Sequence, residues 1–203
     1  MVSLPFSGKA MSGHGLSIAT RATEFSALLA KGIATDGRGA RQDFEDAVAD
    51  VCARLDILQK GGGSVYLVGN GGSAGVASHA ATDFFTAAKI RATTLHESSL
   101  MTCMANDFGY DNAFARMLMD LVRPGDLVFA ISSSGKSMNI RNAALHAAAG
   151  GGQVVTLSGF AGDNPLRSMG SINFWLDSSD YGMVEIGHQF ILHNISDRLR
   201  ARG

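Results

Sequence analysis

The chain has 203 residues, of which 46% are hydrophobic and 17% charged, with a formal net charge of −1. That length suits one domain with a substantial core, and the balance is ordinary for a globular fold. The near-neutral charge gives no basic excess to advertise a nucleic-acid partner, and no apolar run approaches the ~20 residues of a bilayer span. The opening MVSLPFSGKAMSGHG has neither a long apolar region nor a convincing cleavage site. Residues 1–15 are therefore expected to form a flexible tail before a single domain over 16–203, located in the cytoplasm. Cys52 and Cys103 lie far apart in helical patterns without CxxC spacing, so buried reduced thiols are expected rather than a disulfide or metal pair.

In chain order, Leu16 to Lys31 carries Ile18, Ala22, Phe25, Leu28 and Leu29 at helical spacing, and Gly32 offers a stop. Thr35 to Arg41 reads as a polar turn. Phe44 to Gln59 is a second helix, ended by three glycines, with Val48, Val51, Leu55 and Leu58 on one face. Strands and helices then alternate. Strands are expected at Val65–Val68, Ile90–Leu95, Leu127–Ile131, Val154–Leu157 and Ile172–Leu176. Helices are expected over Ser73–Thr86, Ser98–Asn106, from Asp107–Tyr110 to about Val122, Met138–Ala149 and Gly182 to about Arg200. This pattern predicts an α/β three-layer sandwich around a mainly parallel sheet of about five strands, preceded by N-terminal helices. Ligands in such sheets sit beyond the C-terminal strand ends.

Two turns fall at that edge. LVFAISSSGKS, Leu127 to Ser137, is a buried-type strand breaking into serines, a glycine and a lysine before a helix. Unpaired helix N–H groups, the positive end of the helix dipole and the hydroxyls of Ser132, Ser133, Ser134 and Ser137 make an anion site there; a plain helix cap is the alternative. Lys136 either neutralises a phosphate or reaches water. Gly69-Asn70-Gly71-Gly72-Ser73 likewise opens a helix but lacks GxGxxG or GK[ST] spacing. It reads as a second phosphate or sugar contact, or as a tight turn capped by Ser73.

Two helices carry titratable side chains. His79 and Asp83 are four apart among Ala77, Ala80, Ala81 and Phe84, an expensive place for polar groups without a role. Glu185, Gln189 and His193 form an i, i+4, i+8 stripe on the last helix, with His188 one turn after Glu185. His, Asp, Glu and His can compose a zinc site or an acid/base set. Asp107 is placed at a helix start, where it could be a simple cap.

Together, GNGGSAxxASH, NDFGYDNAFAR, AISSSGKSxNI, VVTLSGFAG and EIGHQFILH resemble the SIS-domain phosphoheptose isomerases, in order from about Val65 to the end of the last helix. The resemblance implies a homotetramer with active sites at subunit interfaces. It also implies conversion of sedoheptulose 7-phosphate to D-glycero-D-manno-heptose 7-phosphate. Phosphate would lie at Ser132, Ser134 and Ser137, with Asn70, Gly71, Ser73 and Ser133 alongside, and Asp107 would contact substrate. Residue 83 falls on the base position and His193 on the acid, with Glu185 as the alternative base. A Zn2+ set falls on His79, Asp83, Glu185 and His193. Three positions depart from the family: Asp83 replaces Glu, Glu185 replaces Gln, and Gly182 stands where an aspartate is usual, with Asp180 nearby. The shorter Asp83 sets a catalytic carboxylate back, whereas Asp83 and Glu185 together make a more anionic metal site. Because such substitutions also suit a paralogue, the alternative is a tetrameric protein-binding scaffold of the DnaA-associating type, or a sugar-phosphate sensor.

Overall fold

Alternating apolar residues at Leu127, Phe129 and Ile131 on one side, and Val128 and Ala130 on the other, build the central strand of the molecule, and all five are completely buried. The structure is a computed structural model that describes residues 17–202, so the tail expected over 1–15 lies outside the described residues. Ser17 caps α1 (Ile18–Ala30) by accepting from the Thr20 N–H, and a short antiparallel hairpin follows, β1 (Ile33–Asp36) and β2 (Arg41–Gln42). Next come α2 (Phe44–Gly61), β3 (Ser64–Val68), α3 (Gly72–Thr86), β4 (Arg91–Thr94), α4 (Ser98–Phe108) and α5 (Ala113–Leu121). The chain continues through β5 (Leu127–Ser132), α6 (Met138–Ala149), β6 (Gln153–Ser158), β7 (Ile172–Trp175) and α7 (Tyr181–Arg200).

The seven strands lie in the order β2-β1-β7-β6-β5-β3-β4. From β7 to β4 every neighbour is parallel, which gives the expected five-stranded sheet. The hairpin extends it: β1 pairs antiparallel with β7, Ile33 opposite Trp175 and Asp36 opposite Ile172. The segment expected to be only a turn is thus partly strand. Its turn proper is made by Asp36, whose side chain accepts from the Arg38 and Ala40 N–H groups.

Apolar residues of α2, α3 and α7 cover one face of the sheet, while α5 and α6 cover the other. Each fully buried side chain such as Phe129 or Ile131 contributes about 1.5–3 kcal/mol. Helix α1 buries no residue completely, and it is held to α7 by a Phe25–Phe190 edge contact and by Arg21 to Asp180 at 2.7 Å. Cys52 is buried as expected, but Cys103 is exposed, because α4 presents that side to solvent. Helix α4 runs through Asp107 and stops at Gly109, whose φ of +78° only glycine adopts without strain. Asp107 therefore ends a helix rather than capping the next. Among the described residues no helix is long and apolar enough to cross a membrane.

Candidate active site

Strand β5 ends in Ser132, and the chain turns through Gly135, whose N–H returns to the Ser132 carbonyl at 3.0 Å. Gly135 has φ +63°, and a Cβ there would overlap the side-chain oxygen of Asn164. Asn164 is buried. Its amide donates to the Gly159 and Ala161 carbonyls at 3.0 and 2.9 Å, and its oxygen accepts from the Arg167 N–H. The serine turn is therefore braced from beneath. Above it, Ser132 donates to Ser137 at 3.3 Å, and Ser137 stands at the head of α6 without its hydroxyl capping that helix. Ser133 is 4% exposed and its hydroxyl has no partner.

The turn after β3 faces this one. Gly71, φ +53°, takes the cap position of α3, so that helix starts without a side-chain cap and Ser73 is buried inside its first turn. Asn70 and Asn139 exchange both amide hydrogen bonds at 2.9 Å, and the Tyr110 hydroxyl donates to Asn70 at 2.8 Å. Between the two turns is a cavity of about 240 Å³ lined by Asn70, Gly71, Ser73, the four serines Ser132, Ser133, Ser134 and Ser137, Tyr181 and Glu185. Hydroxyls, an uncapped helix start and small side chains at a strand C-terminal edge fit a dianionic phosphate.

Further along α3 and α7, His79, Asp83 and His193 converge, with ligand atoms all within 4.8 Å of one another. Oδ2 of Asp83 lies 2.9 Å from His193 Nδ1 and 3.5 Å from His79 Nε2, and the two imidazoles meet edge to face at 4.7 Å. That oxygen is buried without a well-directed hydrogen bond. A buried carboxylate oxygen aimed between two imidazole nitrogens suits a divalent cation, and an N2O donor set suits zinc. Glu185 is outside this three-residue group and lines the serine cavity instead.

Of the other expected positions, Asp107 is exposed on α4, receives the Asn106 amide at 2.9 Å, and does not line the cavity. Lys136 is exposed beside the serine turn. His188 is fully buried, with Nε2 3.1 Å from the Ser158 carbonyl, and burial pushes its pKa down to about 4. It is a core residue. Asp180 caps α7 through the Met183 N–H and pairs with Arg21. Burial opposes its charged form, but those two donors hold its carboxyl below the usual range. Asn164 and Tyr181 lie outside every motif read in the sequence, and Asn139, inside AISSSGKSxNI, carries no assigned role there although it directly follows the serine turn.

The parallel sheet with a serine-rich turn at its central strand makes this an α/β domain with an anion-binding edge. A family model for the SIS domain matches residues 40–159. The phosphoheptose isomerase of Mycobacterium tuberculosis is 36% identical over 160 residues, spanning 76% of this chain and 81% of the relative. That of Geobacter sulfurreducens is 31% identical, over 81% and 94%. The chain thus belongs to the phosphoheptose isomerase family of SIS-domain enzymes. The fold is shared with phosphoheptose isomerases of Neisseria gonorrhoeae (TM-score 0.76, 22% identity, 91% of this chain and 97% of that one) and Francisella tularensis (0.77, 22%, 89% and 93%).

Proposed function

We propose that the protein interconverts sedoheptulose 7-phosphate and D-glycero-D-manno-heptose 7-phosphate through an ene-diol. One observation carries this reading: α3 and α7 each contribute residues to both the serine cavity and the His79–Asp83–His193 group. At 1.5 Å per residue, the eight residues from Glu185 to His193 span about 12 Å, the kind of separation an open-chain heptose phosphate must bridge. Phosphate sits at Ser132, Ser134 and Ser137, with Asn70, Gly71, Ser73 and Ser133 completing the cradle. Asp107, in this reading, reaches substrate only from a rearranged or assembled site.

At the other end Asp83 removes the proton from C1, alpha to the ketone, and returns it to C2. His193 protonates the developing oxyanion at O2 and recovers a proton from the C1 hydroxyl, so the protons balance. His79, Asp83 and His193, with Glu185 as a fourth donor if it turns toward them, would hold Zn2+. When bound there, the ion would supply Lewis-acid stabilisation of the charge that develops on the substrate. The same carboxylate–imidazole convergence favours an enzyme over a protein-binding scaffold.

We further infer a cytoplasmic homotetramer with active sites at subunit interfaces. Phe85 on α3 and Ile186 and Phe190 on α7 are exposed in the layer on one side of the sheet, and Met119 on α5 and Leu145 on α6 in the layer on the other, apolar positions suited to cover by other copies. The deciding experiment adds sedoheptulose 7-phosphate and follows aldose formation by NMR. Appearance of the heptose aldose supports the assignment; no turnover, with or without added zinc, overturns it.

A further inference from the structure

Glu185 sits in an unexpected place for a carboxylate. It shares the cavity with four serine hydroxyls, and it lies so close to Gly72 that any Cβ at that position would overlap it. Gly72 is the first residue of α3, the helix that begins without a side-chain cap. The carboxylate thus lies where the helix dipole and free N–H groups favour negative charge. The cavity also holds the unpartnered hydroxyl of Ser133, whose residue is 4% exposed. These are the features that favour a bound anion, and in the free protein the chain's own carboxylate stands among them.

A second observation gives that carboxylate somewhere to go. Glu185, Gln189 and His193 follow one another at four-residue steps on α7, on one side of the helix. Along this stripe lies the three-residue group, which has one donor fewer than the four of a closed zinc site.

From this geometry we infer that Glu185 is an internal competitor for the phosphate cradle. Phosphate entry drives its carboxylate out along α7 toward His79, Asp83 and His193, so phosphate and metal binding strengthen one another. The inference rests on reading the serine cavity as the phosphate subsite. Two like charges cannot share a cavity of about 240 Å³ without a large electrostatic penalty. Linkage then requires that whatever phosphate does for the metal, the metal does equally for phosphate.

The test uses inorganic phosphate and Zn2+ on the full chain, with E185A and E185Q. Calorimetric titration of metal-free protein should show both variants binding phosphate roughly tenfold more tightly than wild type, since each removes the competing charge. Zn2+ affinity is then read by chelator competition with and without saturating phosphate. Wild type should bind Zn2+ more tightly when phosphate is present, and E185A should lose most of that gain. Equal phosphate affinity in all three proteins overturns the competition. A gain in E185A as large as in wild type overturns the relocation, because it reflects only attraction between the metal and phosphate. Failure of all three to bind phosphate removes the cradle itself, and with it the reading on which the inference stands.

Discussion

Oδ2 of Asp83 on α3 lies 2.9 Å from Nδ1 of His193 on α7, which brings together the carboxylate and imidazole that a proton-transfer isomerase needs. Replacing Asp83 by Asn keeps the shape and removes the basic oxygen. We expect kcat to fall by about 10²–10⁴ with KM nearly unchanged. Steady-state kinetics on sedoheptulose 7-phosphate give the answer, and a variant retaining kcat would remove Asp83 from the chemistry.

His79 meets the same Asp83 oxygen at 3.5 Å from the opposite side. As a ligand, its loss in His79→Ala should weaken Zn2+ binding by at least about 100-fold. Chelator competition measures this independently of turnover. Unchanged Zn2+ affinity would mean that the metal, if bound, uses other groups.

Ser132 and Ser137 form a hydroxyl pair 3.3 Å apart at the mouth of α6. Each Ala substitution should remove about 1 kcal/mol of phosphate binding and raise KM roughly fivefold to tenfold. A drop in kcat with KM unaffected would argue that these hydroxyls serve the reacting carbons instead.

Buried His188 has its pKa pushed down to about 4 from the ordinary 6.5. Between those values the unfolded chain binds a proton that the folded chain refuses, so stability rises with pH. The contribution is complete above about 6.5 and is lost as pH falls toward 4, amounting to about 3 kcal/mol. Urea midpoints measured from pH 7.5 to 4.5 should fall more steeply in wild type than in His188→Asn, and parallel slopes would refute the assignment.

Gly135 combines φ +63° with close contact to Asn164. Gly135→Ala should cost roughly 2–4 kcal/mol, from left-handed strain plus overpacking, and should loosen the serine turn. Thermal melting together with phosphate titration separates the two effects.

Much of this architecture can be read in the residues themselves. Short apolar runs such as LVFAI, rich in β-branched and aromatic residues and bounded by turn residues, read as buried strands, and a serine turn after one of them marks the ligand edge. His79 and Asp83 are readable as a pair because a helix fixes four-residue neighbours on one face. What the sequence hides is tertiary. Ile33–Asp36 is a strand because β7 offers an open edge beside it, a fact absent from its four residues. Asp107 ends α4 because Gly109 breaks the helix two residues later, against the local cap signal. Asn164 arrives from the connection after β6 and Tyr181 from the first turn of α7, and no spacing rule links them to Ser132. Glu185 shows the limit most clearly: helical periodicity puts it in line with His193, while its carboxylate stands beside Gly72 in the serine cavity, a contact between α3 and α7 that no spacing encodes.

The reciprocal amides of Asn70 and Asn139 carry a consequence for how this protein can evolve. Each side chain satisfies the other, and Tyr110 and the Ile140 N–H draw on the same two oxygens. A change at either position alone strands its mate's amide donor, while the mate's oxygen keeps Tyr110 or the Ile140 N–H, so single replacements are penalised and paired ones favoured. Residues 70 and 139 should therefore vary as a couple across descendants of this chain, with position 110 following them.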